Sequence, residues 1–131
     1  MLERDAVLDT ILAAYRARIA GDRQAMIEHF AEDAHFEIAV DHSLHSALPR
    51  NGVQAREALG ALIERFEFSD LKLLDAVVEG HKVAARWRVT VKAKGKDPVI
   101  TELCDLIHLD GQGKIKSFVQ FVDSALVLKI S

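Results

Sequence analysis

The segment VITELCDLIHLDGQGKIKSFVQFVD, residues 99–123, carries the strongest structural signal in the sequence. Apolar and polar side chains alternate on both sides of the turn at residues 111–113, which is typical of two antiparallel strands joined by a short loop. In the first of these strands Leu103 and Ile107 share one side with Asp105. The alternation therefore puts a carboxyl group on an apolar face of the predicted sheet.

Two more segments with the same period of two come before this one. We predict strands near residues 71–79 and 82–94, which form a meander with strands near residues 99–109 and 114–123. Earlier in the chain, a short alternating segment from Ala34 to Val40 predicts one further strand. The sequence thus predicts five strands, four of them consecutive.

Three segments in the first half instead repeat apolar residues at intervals of three and four, which predicts helices. The first helix extends from Asp5 to Ala20 and ends at Gly21. Asp22 is the expected cap of a second, short helix that carries Phe30 on its inward face. The third helix runs to Phe66.

The element order is ααβαββββ, which predicts a single α+β domain over residues 1–131. In this domain a strongly curved antiparallel sheet wraps around the three helices. A polar loop over residues 41–52 leads into the third helix, and Asn51 is its expected cap. Residues 124–131 fit neither period, and their structure stays open.

Composition excludes several classes of partner. The chain has 17 Lys and Arg against 20 Asp and Glu, and the basic residues are scattered, so we expect no nucleic acid partner. No apolar run approaches the roughly 20 residues of a membrane span, and we expect no membrane partner. The single cysteine, Cys104, cannot form a disulfide within the chain, which favours a cytoplasmic location.

The predicted sheet is apolar on both faces. Cys104 and Leu106 point away from Asp105, and Val119 and Phe121 point away from the apolar inner face. An apolar outer face needs a cover, and a second copy of the chain is the simplest one. We therefore predict a homodimer that packs through the outer sheet face.

Five short motifs occur in the order and spacing of a known family. They are Tyr15 through Ala20-Gly21-Asp22, Phe30-Ala31-Glu32-Asp33-Ala34, Arg86-Trp87-Arg88-Val89, Asp110-Gly111-Gln112-Gly113-Lys114-Ile115 and Phe121-Val122-Asp123. In these motifs the chain resembles the SnoaL-like branch of the nuclear transport factor 2-like (NTF2-like) superfamily, which includes polyketide cyclases, ketosteroid isomerases and limonene epoxide hydrolases. The resemblance implies a cone with a pocket between the concave sheet and the helices, and a pocket mouth near the first strand and the loop that follows it.

The resemblance also implies roles for particular positions. Asp105 falls where one of the oxyanion-binding acids of the steroid isomerases lies, while Ile38 occupies the position of their base and Ala14 that of their tyrosine. Because isoleucine cannot accept a proton, the isomerase mechanism is disfavoured. The epoxide hydrolases need two carboxylates bridged by an arginine to activate a water molecule. This sequence supplies one inward acid, which does not form that arrangement. Cyclase-like chemistry asks for the fewest groups, and Asp105 alone would serve as its acid or base.

We therefore expect a pocket for a small apolar or aromatic molecule, with Asp105 as the candidate catalytic residue. Burial is expected to raise the pKa of its carboxyl. The candidate substrate-binding residues are Tyr15, His35, Phe36, Ile38, Trp87, Val89, Phe118 and Gln120.

Two alternatives stay open. Asp105 is equally well explained as a buried acid whose hydrogen bonds come from Tyr15, Gln120 or the backbone. The domain is also explained as a noncatalytic ligand-binding or dimerisation module. His42 and His45 are three residues apart, but no inward acid is spaced to complete a metal site. We expect no metal and no cofactor.

Overall fold

The computed structural model describes residues 4–39, 55–123, 125, 126 and 129. Its elements follow the predicted order ααβαββββ and form an α+β cone, which confirms the predicted fold class. In chain order they are α1 (Arg4–Ala20), α2 (Arg23–Ile27), β1 (Phe30–Ile38), α3 (Ala55–Arg65), β2 (Phe66–Glu79), β3 (Lys82–Ala93), β4 (Val99–Leu109) and β5 (Ile115–Phe121).

The five strands form one sheet in the order β1-β5-β4-β3-β2. Strands β2 to β5 are an antiparallel meander, as predicted, whereas β1 pairs with β5 in parallel. The sheet is therefore mixed and not purely antiparallel. The alternation within one strand shows which side chains share a face but carries no information about pairing direction, because direction depends on how the distant β1 and β5 segments meet.

Two strands begin earlier than predicted. β1 starts at Phe30, which the helical spacing had placed on α2, and β2 starts at Phe66, which it had placed on α3. A single inward aromatic residue fits either a helix face or a strand face. Here the strand ladder decides, because Phe30 pairs with Ile115 and Phe66 pairs with Ala93.

Several predicted features lie outside the described residues. These are Val40 at the end of the first strand, the loop over residues 41–52, the Asn51 cap and most of residues 124–131.

The junction between α1 and α2 follows from local chemistry. Gly21 has a φ of +71°, a left-handed conformation that glycine adopts without a steric penalty, and it ends α1. The Asp22 side chain then accepts a hydrogen bond of 3.0 Å from the backbone N–H of Ala25, which caps α2 as predicted.

The core lies between the inner face of the sheet and the helices. From Leu103 to Leu109 in β4 the inner residues are buried and the outer residues are mostly exposed, as alternation requires. Core residues that pack from α1, α3 and the sheet include Val7, Ile11, Leu59, Leu62, Val89, Leu103, Ile107 and Phe118.

No helix in the described part of the chain is long and apolar enough to span a membrane.

Candidate functional site

A cavity of about 90 Å³ lies between the inner face of the sheet and the helices. One water molecule needs roughly 10–15 Å³ of such space, so the cavity has room for several water-sized groups. Its walls include the half-buried Val122 and the exposed Asp123, so it reaches the surface at the end of β5. The polar side chains in its described lining are Tyr15, Arg18, Thr101, Gln120 and Asp123.

Five of the eight candidate substrate-binding residues line this cavity, the polar Tyr15 and Gln120 and three apolar residues. Phe36 and Ile38 come from β1 and Phe118 from β5, and all three are buried. The rings of Phe36 and Phe118 lie 5.4 Å apart between centroids, a normal distance for packed aromatic pairs. The parallel pairing of β1 with β5 brings these residues together, since Phe36 lies opposite Phe118 and Ile38 lies opposite Gln120.

Trp87 and Val89 lie behind the cavity wall. Both are fully buried on the inner face of β3, and neither is part of the lining. The indole ring of Trp87 packs against Tyr15 with 4.5 Å between ring centroids. These two residues therefore support the groups that face the cavity.

His35 lies on the other face of β1. Its side chain is exposed, while its neighbours Ala34 and Phe36 are buried. Alternation along the strand explains this orientation, because adjacent residues point to opposite faces. His35 is outside the described cavity lining.

Asp105 is the most enclosed polar group near the cavity, with an exposed fraction of 0%. Its Oδ2 accepts a hydrogen bond from the hydroxyl of Tyr15, and its Oδ1 accepts one of 3.2 Å from Nε2 of Gln120. The same Gln120 nitrogen also lies 3.2 Å from the Tyr15 oxygen. Asp105 is not part of the lining, whereas Tyr15 and Gln120 are, so these two side chains stand between the carboxyl and the cavity.

Burial governs the protonation of this cluster. It raises the pKa of the Asp105 carboxyl from 3.8 to about 7, although hydrogen bonds from Tyr15 and Gln120 favour the charged form. The indole N–H of Trp87 lies near the Asp105 carboxyl and also favours its charged form, although it makes no hydrogen bond of normal geometry. Burial, together with the charge on Asp105, raises the pKa of the Tyr15 hydroxyl well above 10. Near neutral pH the Asp105 carboxyl is therefore partly protonated, while the Tyr15 hydroxyl keeps its proton.

Three polar lining residues were not predicted from the sequence, namely Arg18, Thr101 and Asp123, and Arg18 is the buried one. Its side chain is only 6% exposed, which is rare for arginine. Its Nη2 donates a hydrogen bond of 3.2 Å to the backbone carbonyl of Leu62, and its guanidinium lies 4.1 Å from the centroid of the Phe68 ring. A signal was present in the sequence, since Arg18 follows Tyr15 by three residues and such residues share a helix face.

The described residues contain no group of three His, Cys, Asp or Glu side chains arranged to hold a metal ion. His42 and His45 lie outside the described residues.

Solved structures with the same fold are numerous. An NTF2-like protein of unknown function from Burkholderia pseudomallei K96243 is 13% identical with a TM-score of 0.77, and the match covers 95% of this chain and 96% of that one. An LEH-like epoxide hydrolase of M. tuberculosis is 17% identical with a TM-score of 0.72, covering 95% and 88%. A computationally designed 17-OHP binder is 14% identical with a TM-score of 0.71, covering 90% and 93%. At these identities the likeness shows a shared fold.

No protein with a curated description matches the sequence. The family profile described as the SnoaL-like domain matches residues 11–118, which is most of the chain. This match agrees with the order of helices and strands and with the resemblance seen in the five motifs. The chain therefore belongs to the SnoaL-like domain family.

Proposed function

We propose that the protein binds a small, mainly apolar or aromatic molecule in the cavity. The observation that carries the proposal is the composition of the cavity wall, where aromatic and aliphatic side chains surround a few polar groups. Pockets for small molecules in proteins have this composition. The fold is also that of a protein designed to bind 17-OHP and of an epoxide hydrolase, which supports a role in small-molecule binding.

Tyr15 and Gln120 form the polar edge of the proposed binding site. Their side chains line the cavity and are held by hydrogen bonds to the buried Asp105. Because Asp105 itself is fully enclosed, we assign it the role of fixing the orientation of Tyr15 and Gln120. A ligand oxygen or hydroxyl at this edge would meet the Tyr15 oxygen and the Gln120 amide.

The experiment that tests this proposal fills the cavity. Ala14 lines it from α1, whereas Ala6 is exposed on the same helix. We expect Ala14→Leu to weaken binding of the neutral probe 2-naphthol at least tenfold, measured by titration with NMR detection, because the added side chain takes up ligand space. Ala6→Leu is the matched control and should bind as wild type. Equal binding by both variants, or no binding of 2-naphthol to the wild type, would contradict the proposal.

A second candidate function, proton-transfer catalysis, is favoured by the hydrogen bond between Tyr15 and Asp105. In this reaction Asp105 is protonated and donates to Tyr15, so that the Tyr15 hydroxyl gives its proton to a ligand carbonyl oxygen while Asp105 passes its own proton to Tyr15. A water molecule takes the α-proton, which leaves the enol, and that proton then returns to the Asp105 carboxylate, so no net proton is gained or lost. The pKa of about 7 suits Asp105 to this exchange near neutral pH. Steroid isomerisation is not part of the proposal, because Ile38 stands in the cavity wall at the base position.

Deuterium exchange tests the catalytic candidate. We expect the wild type to speed exchange of the α-protons of 2-tetralone in D₂O, measured by NMR, and Tyr15→Phe to slow that exchange at least tenfold because it lacks the hydroxyl. A wild-type rate equal to that of buffer would leave the protein as a binding module only.

We also propose that the protein is a homodimer. A row of apolar side chains crosses the outer sheet face from β2 to β5, because the strand register places them side by side. We call this row the outer band, and it consists of Val77, Ala84, Leu106 and Val119. Charges of both signs border it, including Lys82 and Glu79 on one side and Arg86 with Glu102 on the other. A mixed border of this kind allows a second copy to pair with complementary charges.

The remaining parts of the proposal rest on composition. The single cysteine, Cys104, is exposed on the outer face. We propose a cytoplasmic location on this basis, and no nucleic acid partner on the basis of a net charge of −3.

A further inference from the structure

Arg18 brings a positive charge into the apolar cavity. The residue lies on α1 three positions after Tyr15 and lines the cavity, and its guanidinium contacts Leu62 and Phe68, which line the cavity as well. Burial lowers its pKa to about 10, so the group remains protonated at neutral pH. Placing a full charge in an apolar wall is costly unless another charge or several hydrogen bonds compensate for it.

No carboxylate among the described residues forms an ion pair with Arg18. The ion pairs found in that part of the chain join Arg4 to Asp5 and join Glu102 to Arg86 and Arg88. Asp105 instead takes its hydrogen bonds from Tyr15 and Gln120. The Asp123 carboxylate, which also lines the cavity, accepts a hydrogen bond from the backbone of residue 126.

The guanidinium also has donors left over. It has five N–H bonds, and one nitrogen, Nη2, makes the hydrogen bond to Leu62. The buried side-chain nitrogens that lack a partner in the described residues are those of Arg56 and Trp87, and no nitrogen of Arg18 is among them. The unused N–H groups of Arg18 therefore keep contact with accessible space. Since Arg18 is 6% exposed and lines the cavity, the cavity is that space.

We propose that Arg18 binds the carboxylate of the ligand, so that the cavity selects molecules with a flat apolar body and one acidic group. This inference rests on the proposed small-molecule binding function and specifies its ligand class. A carboxylate matches the planar fork of a guanidinium, which can donate two parallel hydrogen bonds to its two oxygens.

The buried charge of the lining favours a singly charged ligand over a doubly charged one. The charged side chains in the described lining are Arg18, which is buried, and Asp123, which is exposed to solvent at the end of β5. A phosphate monoester carries nearly two negative charges near pH 7, and one of them would stay uncompensated in an apolar site. A singly charged carboxylate balances Arg18 without this cost.

The same geometry orients the bound molecule. Tyr15 and Arg18 are about 4.5 Å apart along the helix axis, and the positive charge of Arg18 is felt at the Tyr15 hydroxyl. A carboxylate on Arg18 thus lies close to the polar edge formed by Tyr15 and Gln120, while the apolar body extends along Phe36 and Phe118.

A matched pair of probes separates the charge from the shape. We expect wild-type protein to bind 2-naphthoate at least tenfold more tightly than the neutral 2-naphthamide, measured by calorimetry at pH 7.5. Arg18→Met keeps the apolar stem but removes the charge, and we expect it to lose this preference while it still binds the amide. Arg18→Lys keeps the charge without the fork and should retain part of the preference. Arg16→Met, an exposed site on the same helix, is the control and should retain all of it.

The outcomes distinguish this inference from the function on which it rests. Equal affinity of the wild type for naphthoate and naphthamide overturns the carboxylate proposal and leaves apolar binding intact. A wild type that binds neither probe overturns both. If Arg18→Met does not fold, the proposal is tested by the ratio of the affinities for naphthoate and naphthamide in the wild type and in Arg18→Lys. An Arg18 with a purely structural role predicts no preference for the acid in either protein.

Discussion

Asp105 shows how one buried polar residue is accommodated in this fold. Its carboxyl is fully enclosed, which disfavours the charged form, and hydrogen bonds from Tyr15 and Gln120 offset part of that cost. The effect of burial is larger than that of the hydrogen bonds, because the pKa of the carboxyl is raised to about 7. The three side chains therefore act as one hydrogen-bonded cluster, and changing the charge of Asp105 is expected to affect the whole cluster.

The raised pKa predicts how stability depends on pH. The folded protein holds the Asp105 proton more tightly than the unfolded chain, in which the pKa is close to 3.8. The stabilisation is fully present below about pH 4 and is lost as the pH rises through 7. Asp105→Asn removes this titration, so we expect the stability of the wild type relative to the variant to fall by on the order of 4 kcal/mol between pH 4 and pH 8.

Urea unfolding at a series of pH values measures this difference. Asp9→Asn is the control, because Asp9 is exposed on α1. Its unfolding free energy should follow the wild type at every pH. If the unfolding free energies of the wild type and Asp105→Asn change in the same way with pH, the pKa of the Asp105 carboxyl is not raised in the folded protein, and the prediction is wrong.

At the scale of elements, the sheet has two distinct faces. The inner face packs on the helices and forms the cavity wall, and the outer face carries exposed apolar residues, including Val77, Ile100, Leu106 and Phe121. The same outer face also carries an ion pair of 2.7 Å between Arg86 and Glu102. Exposed ion pairs contribute little to stability, so the apolar residues dominate the energetics of any contact made there.

The outer band predicts that the dimer is sensitive to charge at Leu106. We expect Leu106→Glu to weaken dimerisation at least tenfold, because the interface would bury a carboxylate without a partner. Light scattering at micromolar concentration measures the mass of the particles. We expect twice the 14.5 kDa of one chain for the wild type and the mass of a single chain for Leu106→Glu.

Gln24→Glu is the control for this experiment. It adds the same charge at an exposed position on α2, away from the sheet, and should leave the dimer intact. A wild type that stays monomeric at this concentration would contradict the predicted homodimer.

At the scale of the whole molecule, the cavity results from contacts between distant parts of the chain. Tyr15 and Asp105 are 90 residues apart in sequence and share a hydrogen bond. Gln120 comes from β5, and its neighbour across the sheet is Ile38 of β1. The site is therefore assembled by the sheet order, and no single segment contains it.

The order of elements was predictable from the sequence alone, and so was the family. Period-two alternation marked the four strands of the meander, and Gly21 and Asp22 marked the junction of α1 and α2. These signals are local, because side-chain direction in a strand and the conformation of a glycine depend on neighbouring residues. The inward direction of Asp105 followed from the same rule. Its role toward a ligand stays a proposal.

Only the tertiary structure decided the parallel pairing of β1 with β5, the enclosure of Asp105 behind Tyr15 and Gln120, and the burial of Arg18. Each of these depends on which distant segments meet and how closely they pack. Arginine is usually solvated, and its position beside Leu62 and Phe68 exists only after α1, α3 and β2 have come together. The sequence alone thus determined the elements and the face on which Asp105 lies, whereas packing between those elements determined which polar groups reach the cavity.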